Sequence, residues 1–298
     1  MIDWPSSRDE PGGRLGDGQI NGNAREVLRD RLDSLPHREY GARVADRPPS
    51  GYWEQVPRFE RLWAEHLARW PAPRERPGPE RSDDPPGSWR GSGDQYLSPE
   101  QHRDARAAIA QARTAEKGIS ATMREIETDV APVAHLEGWE HRLKGEDRLK
   151  EKVAEKLSYR SNRPITEVLS GVADVIRYTF CSDMESYYSA FRKICARLEG
   201  NSYSMYHCHN SWMEASDYKG INTRWERPGT QSFEVQFHTP ESLHAKQMMT
   251  HDAYVRIRSP ATSDTERGEL ARYQRMVTSS IPEPDSARLI SSKKRERF

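Results

Sequence analysis

The apolar residues of this 298-residue chain are unevenly distributed, and that distribution limits where a folded core can form. Hydrophobic residues make up 34% of the sequence and charged residues 31%, so a core requires a local concentration of apolar side chains. That concentration begins after Leu97, whereas residues 71–94 are rich in proline, glycine and charge, which is typical of a linker. We therefore predict an N-terminal region over residues 1–96 and a folded domain over 97–281, with its core at 136–259.

The N-terminal region is expected to be largely disordered or loosely helical, with short amphipathic helices at residues 23–35 and 58–70. In the second of these, five apolar side chains fall on one helical stripe: Phe59, Leu62, Trp63, Leu67 and Trp70. This stripe predicts packing on the folded domain or on a second copy of the chain, and recognition of a protein partner is the alternative. At the other end, residues 282–298 form a basic tail, and we expect its segment 292–297 to be frayed.

Charge, cysteine content and hydropathy exclude several classes of protein. Lys plus Arg and Asp plus Glu each number 46, so the chain as a whole has no field that favours binding to DNA or to an anionic membrane. The three cysteines lack C-x-x-C spacing, which argues against a disulfide framework or structural zinc and favours a reducing compartment. The sequence contains no secretory signal and no apolar run of membrane-spanning length. The expected location is the cytoplasm, or a target cell reached by a non-classical route.

The periodicity of apolar residues changes along the folded domain and predicts its fold class. Helical spacing comes first, followed by a strand, a helix, three strands and two final helices. This order predicts an α+β domain in which a mixed β-sheet is covered by helices. The predicted helices are 98–117, 120–130, 146–159, 183–198, 240–258 and 264–278, and the predicted strands are 172–180, 203–212, 220–225 and 232–238.

The last predicted strand, residues 232–238, carries the strongest chemical signal. Alternation places its apolar residues on one face and Glu234, Gln236 and His238 on the other. Burying a carboxylate, an amide and an imidazole together costs free energy. Such a row of polar side chains therefore favours an active-site face. A polar face that simply meets water is the alternative.

A second pair of charged residues lies within an apolar stretch. Asp174 and Arg177 fall inside the predicted strand 172–180, where an unpaired buried charge is costly. Asp174 and Glu234 on adjacent strands could share a Mg²⁺ ion, which binds few protein carboxylates and completes its shell with water and phosphate oxygens. An internal ion pair between Asp174 and Arg177 is the alternative interpretation.

Two further segments fit phosphate and nucleotide binding. Residues 141–152 concentrate cations at the start of a predicted helix, a favourable place for a polyphosphate, although such a run is often only a solvated helix face. In the segment 217–224, Tyr218 could stack on a nucleobase and Gly220 could let a ligand approach the backbone, although ordinary turn chemistry also explains the glycine.

The order of these segments resembles RelA/SpoT-like alarmone synthetase domains over about residues 136–259. The shared features are Arg142-x-Lys144 leading into a helix, the Asp/Arg strand, Tyr-Lys-Gly-Ile-Asn at 218–222, and Phe-Glu-Val-Gln-Phe-His-Thr at 233–239. The form is most similar to the branch seen in actinobacterial toxins and nucleotide 3′-pyrophosphokinases. The resemblance implies a nucleotidyltransferase-like synthetase fold. The implied activity is Mg²⁺-dependent transfer of pyrophosphate from ATP to a purine nucleotide 3′-hydroxyl, giving AMP and a (p)ppGpp- or (p)ppApp-type alarmone.

The resemblance also implies roles for individual residues. The catalytic and metal-binding group is Asp174, Glu234 and, for charge neutralisation, Arg177. The ATP-binding group is Arg142, Lys144, Arg148 and Lys152. The acceptor-binding group is Tyr218, Lys219, Asn222, Gln236 and His238.

This sequence departs from the family pattern at positions that affect the acceptor. Gly145 and Arg148 replace common serines, Asp174 lies three residues before Arg177 instead of five, and Asn222 and His238 stand where His and Arg are commoner. The acceptor therefore stays open between GTP or GDP, ATP or ADP, and the 3′ end of tRNA. A catalytically dead nucleotide-binding module is a further alternative.

An alarmone synthetase without an accompanying hydrolase domain predicts a growth-inhibiting toxin or effector, with an immunity protein or antitoxin as partner. His207-Cys208-His209 is a weak candidate for zinc, because alternation sends Cys208 to the face opposite the two histidines.

Overall fold

The computed structural model describes residues 51–71, 84–91, 95–159, 165, 168, 172–213, 216–228, 230–259 and 261–294. The α-helices described are α1 (Gly51–Arg69), α2 (Pro99–Val130), α3 (Glu146–Tyr159), α4 (Tyr187–Gly200), α5 (Pro240–His244), α6 (His251–Arg258) and α7 (Asp264–Ser279). The strands are β1 (Trp89–Arg90), β2 (Tyr96–Leu97), β3 (His135–Glu137), β4 (Arg177–Cys181), β5 (Ser204–Asn210), β6 (Ile221–Glu226), β7 (Phe233–His238) and β8 (Lys293–Lys294). No helix within these ranges is long and apolar enough to cross a membrane.

A six-stranded mixed sheet forms the centre of the fold, in the order β3-β4-β7-β6-β5-β8. Strands β4 and β7 are parallel neighbours, and the other pairings in this sheet are antiparallel. The register places Arg177 opposite Glu234 and Thr179 opposite Gln236. The predicted α+β class with a mixed, helix-covered sheet is confirmed.

One face of the sheet is apolar and packs against α2 and α4. The ring of Phe191 on α4 lies 4.9 Å from that of Phe237 on β7, measured between centroids. The hydroxyl group of Tyr178 on β4 lies 2.9 Å from Oγ of Ser120 on α2. Because side chains alternate along each strand, the opposite face carries Glu234 and Gln236.

Helix α2 is one continuous helix, which corrects the prediction of two helices divided near Gly118. It begins at the Ser98 N-cap, whose capping box with Gln101 satisfies the first free amide groups. A glycine inside a helix costs about 1 kcal/mol. Ile109 and Met123 are buried on either side of Gly118, so a core contact on both sides offsets this cost. The Ser120 side chain bonds to Glu116 and Tyr178 instead of capping a second helix.

The predicted strand over residues 172–180 is wrong in its first half. Residues Ala173–Val175 form a 3₁₀ turn, and the strand begins only at Arg177. Asp174 therefore lies just before the strand, so the alternation of strand side chains does not determine its orientation.

Helix α1 packs on the C-terminal helices, as its apolar stripe predicts. The ring of Trp63 lies 5.5 Å from that of Tyr273 on α7, and the Tyr52 hydroxyl lies 2.7 Å from Nδ1 of His244 on α5. Phe59 is fully buried in the same core. The predicted helix at 23–35 lies outside the described residues.

Two segments predicted to lack structure contain strands. Strand β1, within the predicted linker, pairs with β2 in a two-stranded sheet, and Nη2 of Arg90 donates to Oδ1 of Asp84 at 2.7 Å. In the predicted tail, β8 pairs with β5 at the sheet edge, with Lys294 opposite His207. The expectation of a frayed tail is therefore wrong as far as Lys294, because the backbone there finds hydrogen-bonding partners on an exposed strand edge.

Candidate active site

Two buried carboxylates meet at the start of the parallel pair β4 and β7. Asp174 lies in the turn before β4 and is 5% exposed, while Glu234 lies on β7 and is 3% exposed. Burial, followed by the negative charge of Asp174, raises the pKa of the Glu234 carboxyl above its ordinary value. The two groups are therefore close enough to interact, although they do not lie on two adjacent strands as predicted. Polar residues on β7 do not meet water, because Glu234, Gln236 and His238 are all buried.

Lysines from the preceding loop and α3 neutralise Asp174. Lys144 and Lys152 both donate to Oδ2 of Asp174, Lys152 at 2.6 Å. Burial would raise the pKa of Asp174, but the charges and hydrogen bonds of these lysines outweigh it and hold that pKa well below its usual range. For Lys144, burial outweighs the attraction of Asp174 and lowers the pKa to about 7. The alternative of an internal Asp174–Arg177 ion pair is wrong, since the lysines occupy that position.

The backbone of the cation-rich loop is fixed against the start of β4. The amide group of Lys144 donates to the carbonyl of Val175 at 2.9 Å, and Leu143 forms a bridge with Ile176. This pairing places Lys144 beside Asp174.

The two predicted ATP-binding arginines lie in different surroundings. Nε of Arg142 donates to Oε1 of the buried Glu116 at 2.6 Å, and its guanidinium lies 4.7 Å from the centroid of Trp139. Nη1 of Arg148 donates to Oε2 of Glu151 on the same helix at 2.7 Å. Of the four residues predicted to bind ATP, Lys144 and Lys152 therefore contact the Asp174 carboxylate, while Arg142 is held by α2.

Two arginines flank Glu234 across the sheet. Arg177 on β4 and Arg224 on β6 both lie opposite Glu234 in the strand register. Nη1 of Arg177 and Nε of Arg224 are buried and find no hydrogen-bond partner among the described residues. Both positive charges act to lower the pKa of Glu234, against the larger effects of burial and Asp174. Buried donors without partners favour an anionic ligand at this position.

A hydrogen-bonded chain connects Glu234 to a buried lysine that the sequence analysis missed. Nε2 of Gln236 donates to Oε1 of Glu234 at 2.6 Å, and Nζ of Lys246 donates to Oε1 of Gln236. Because an ammonium group only donates, Lys246 fixes the orientation of the Gln236 amide. Lys246 is 4% exposed, and burial followed by the charge of Arg177 holds its pKa well below its usual range.

Lys246 belongs to a π-helical segment, Ala245–Thr250, between α5 and α6. Such segments are frequent at functional sites. A lysine among the apolar residues of the helix predicted at 240–258 was a signal that could have identified it.

Glu116 and Arg224 were also missed, and Arg224 was detectable from its alternation with Asn222 on β6.

The predicted acceptor residues form a buried network beside this chain. The Tyr218 hydroxyl donates to Oδ1 of Asn222 at 2.7 Å and lies 2.9 Å from Nε2 of His238. Nζ of Lys219 donates to the carbonyl of Trp212 at 2.9 Å. Tyr218 is 4% exposed and its ring meets that of His238 edge to face, so stacking on a nucleobase would require the ring to move.

Gly220 has a packing reason in the structure. A Cβ atom there would lie 2.9 Å from His238 and from the Tyr218 hydroxyl, and 3.0 Å from the Phe237 carbonyl. Because glycine has no Cβ atom, Tyr218 and His238 can lie close enough to form their hydrogen bond.

The described residues bring few side-chain ligands together for a metal ion. Among the residues described, no group of three or more His, Cys, Asp or Glu side chains could hold a metal ion. His207 and His209 stack with their ring centroids 6.5 Å apart, while Cys208 is buried on the other face. Asp174 and Glu234 supply two hard oxygen donors, a number that Mg²⁺ uses when phosphate and water complete its shell.

Three solved structures with similar architecture can be compared with this α+β fold. The small alarmone synthetase 1 from Bacillus subtilis bound to its product pppGpp is 14% identical, with a TM-score of 0.43 over 60% of this chain and 91% of that one. The Type VI effector Tas1, in complex with its immunity protein, is 13% identical, with a TM-score of 0.40 over 60% and 96%. A GTP pyrophosphokinase family protein from Streptococcus pneumoniae is 10% identical, with a TM-score of 0.39 over 61% and 90%. No protein-family model and no curated protein matches the sequence.

Proposed function

We propose that this protein transfers pyrophosphate from ATP to the 3′-hydroxyl of a purine nucleotide, giving AMP and a (p)ppGpp- or (p)ppApp-type alarmone. The observation that carries the proposal is an excess of positive charge around two buried carboxylates. Five basic side chains lie around this pair: Lys144, Lys152, Arg177, Arg224 and Lys246. Uncompensated buried charge is costly, and a polyphosphate supplies the missing negative charge.

The resemblance in sequence gives the same assignment from independent information. The segments that carry the resemblance include Lys144, Lys152, Asp174, Arg177 and Glu234. In the fold they converge on one position at the start of β4 and β7. Catalysis of phosphoryl-type transfer consists mainly of positioning and charge stabilisation, which this cluster is built to provide.

Glu234 is the proposed proton acceptor. The acceptor 3′-oxygen attacks the β-phosphorus of ATP, and its proton passes to the Glu234 carboxylate. The bond from that phosphorus to the oxygen bridging to the α-phosphate breaks, and AMP leaves. A raised carboxyl pKa suits this role, because a general base works best when its pKa approaches the working pH. Arg177 neutralises charge on the transferred group.

Mg²⁺ is the proposed cofactor, held by Asp174 and Glu234. When bound, it would neutralise charge on the polyphosphate oxygens. Lys144 and Lys152 would then turn from Asp174 toward the phosphates, with Arg142 and Arg148 at the outer part of ATP. Tyr218, Lys219, Asn222, Gln236 and His238 are the proposed acceptor contacts.

We further infer that the activity serves a growth-inhibiting toxin or effector, restrained by an immunity protein or antitoxin. The drain on ATP by such a transferase supplies the physical reason for a restraining partner. Transfer to the 3′ end of tRNA and a catalytically dead nucleotide-binding module are the competing functions.

Incubation with ATP labelled at its β- and γ-phosphates plus Mg²⁺ tests the proposal. GTP, GDP, ATP, ADP and deacylated tRNA are offered separately, and the products are resolved by chromatography. Label on a nucleotide together with release of AMP supports the proposed function, whereas label on tRNA alone selects the competing transferase. Bound ATP without transfer to any acceptor would favour the dead module.

A matched pair of variants locates the activity at the site. Glu234→Gln keeps the shape of the side chain and removes its charge, so transfer should be abolished while the fold persists. Glu199→Gln makes the same chemical change at an exposed position on α4 and should leave transfer unchanged. Retained activity in Glu234→Gln would overturn the site assignment.

A further inference from the structure

Helix α1 contacts the two helices on either side of the π-helical segment that carries Lys246. In its first turn, the Tyr52 hydroxyl lies 2.7 Å from Nδ1 of His244, the last residue of α5. Just past its last residue, the carbonyl of Trp70 accepts a 2.8 Å hydrogen bond from Nη2 of Arg256 on α6. A helix of 19 residues is about 28 Å long, so one rigid element links α5 to α6 across the segment.

The contact between α1 and α5 is aromatic and buried. Tyr52 is fully buried, and the ring of Trp53 lies 4.9 Å from that of His244, measured between centroids. Nε1 of Trp53 also donates to Oε1 of Glu241 on α5 at 3.2 Å. Burial raises the pKa of the Tyr52 hydroxyl above its ordinary value, so this group stays protonated and can donate to His244.

The other end of α5 is joined to the active-site strand β7. Oγ of Ser242 lies 2.9 Å from Nδ1 of His238, the last residue of β7, and Thr239 forms a capping box with Ser242. Helix α5 has only five residues, so a displacement at His244 moves its whole length. The position of α5 therefore depends on β7 at one end and on α1 at the other.

The winding of the segment between α5 and α6 sets the direction of Lys246. In the π-helical segment Ala245–Thr250, Oγ1 of Thr250 donates to the carbonyl of Ala245 at 3.0 Å. A π-helical turn holds more residues than an α-helical turn, so rewinding this segment as an α-helix would rotate Lys246 by about 100° relative to α6. That rotation would separate Nζ of Lys246 from Oε1 of Gln236 and would break the contacts of α1 with α5 or with α6. Helix α1 therefore opposes the rewinding.

We propose that Tyr52 is a positioning residue for the transferase site. Through His244 it holds the π-helical segment in the winding that places Lys246 on Gln236, so helix α1 is part of the active enzyme. This inference rests on the proposed function and adds an element of control to it. A binding event that lifts α1 from α5 lowers the rate of transfer without occupying the site.

A matched pair of tyrosine variants tests the contact in the full chain. Tyr52→Phe keeps the buried ring and removes the hydroxyl, so kcat should fall by about 3- to 10-fold while the KM for ATP stays unchanged. Tyr273→Phe removes the hydroxyl that donates to the Phe59 carbonyl of α1 at 3.4 Å from α7, and it should leave kcat unchanged. Equal losses of kcat in the two variants would overturn the assignment of Tyr52.

A double-variant cycle with Lys246→Met separates positioning from a general loss of stability. If Tyr52 acts through Lys246, Tyr52→Phe should lower kcat by less than about twofold further in the Lys246→Met background. A general loss of stability would leave the two effects independent. A loss in the double variant equal to the product of the single losses would therefore overturn the inference.

Hydrogen exchange followed by mass spectrometry gives a readout that does not need turnover. Amides of residues 245–258 should exchange about 3- to 10-fold faster in Tyr52→Phe than in the wild-type chain, while those of β5 and β6 stay unchanged. If the wild-type chain transfers nothing, the proposed function fails, yet this measurement still decides whether α1 holds the π-helical segment. Unchanged exchange over residues 245–258 would refute it.

Discussion

ATP binding should take up a proton at Lys144, because burial lowers the pKa of this lysine to about 7 in the free protein. An ammonium group contacting phosphate is stabilised in its charged form, so a bound polyphosphate restores the pKa toward the ordinary lysine value of about 10.4. The variant that isolates the effect is Lys144→Arg, since arginine stays protonated throughout.

The size of the effect follows from the two pKa values. The deprotonated fraction of Lys144 in the free protein is about a tenth at pH 6 and about nine-tenths at pH 8, and this fraction is the expected proton uptake. Since binding selects the protonated form, affinity for ATP falls as pH rises above 7. Between pH 7.5 and 9 the dissociation constant should increase by about 25-fold.

Titration calorimetry measures both quantities without acceptor present. The apparent binding enthalpy is compared in HEPES and Tris, whose different ionisation enthalpies report the protons taken up. Lys144→Arg should bind ATP with little pH dependence over the same range. Equal apparent enthalpies in both buffers at pH 8 for the wild-type chain would refute this account of Lys144.

Three further perturbations test separate parts of the structure. Lys246→Met should lower kcat by about 10- to 100-fold and move the acidic limb of the pH profile of kcat to higher pH, because removing a positive charge near Glu234 raises the pKa of that carboxyl further. An unshifted acidic limb would contradict an electrostatic effect of Lys246 on Glu234. Phe59→Ala should lower the free energy of unfolding by about 3–5 kcal/mol in urea denaturation, whereas a loss near zero would show that α1 is detached in solution. Glu116→Gln should raise the KM for ATP by about tenfold at unchanged kcat, because Arg142 loses its charged partner; an unchanged KM would remove Arg142 from the ATP site.

Short-range patterns were sufficient to predict most elements of the fold. The strand at 233–238 and the helices at 146–159 and 264–279 lie within a residue of their predicted bounds. Their periodicities of 2 and 3.6 arise from backbone geometry within one element, so neighbouring residues suffice to reveal them. The same reasoning failed at residues 172–175, because a short apolar run does not distinguish a strand from a turn when both are buried.

Pairing between distant segments was beyond the reach of such patterns. Residues Lys293–Lys294 of the predicted tail form an edge strand because β5 offers backbone hydrogen-bonding groups there. Helix α2, which was predicted as two helices divided at Gly118, is continuous because both halves contact one core.

The sequence alone determined which residue types the candidate site contains and which face of β7 carries them, since alternation and motif order are local properties. Tertiary structure decided what those residues contact: two lysines on Asp174, two arginines beside Glu234, and Lys246 behind Gln236. Those contacts join residues 10 to 57 positions apart, so they depend on strand register and helix packing. The charge excess that favours a polyphosphate exists only after that packing, because burial is what makes an unpaired cation costly.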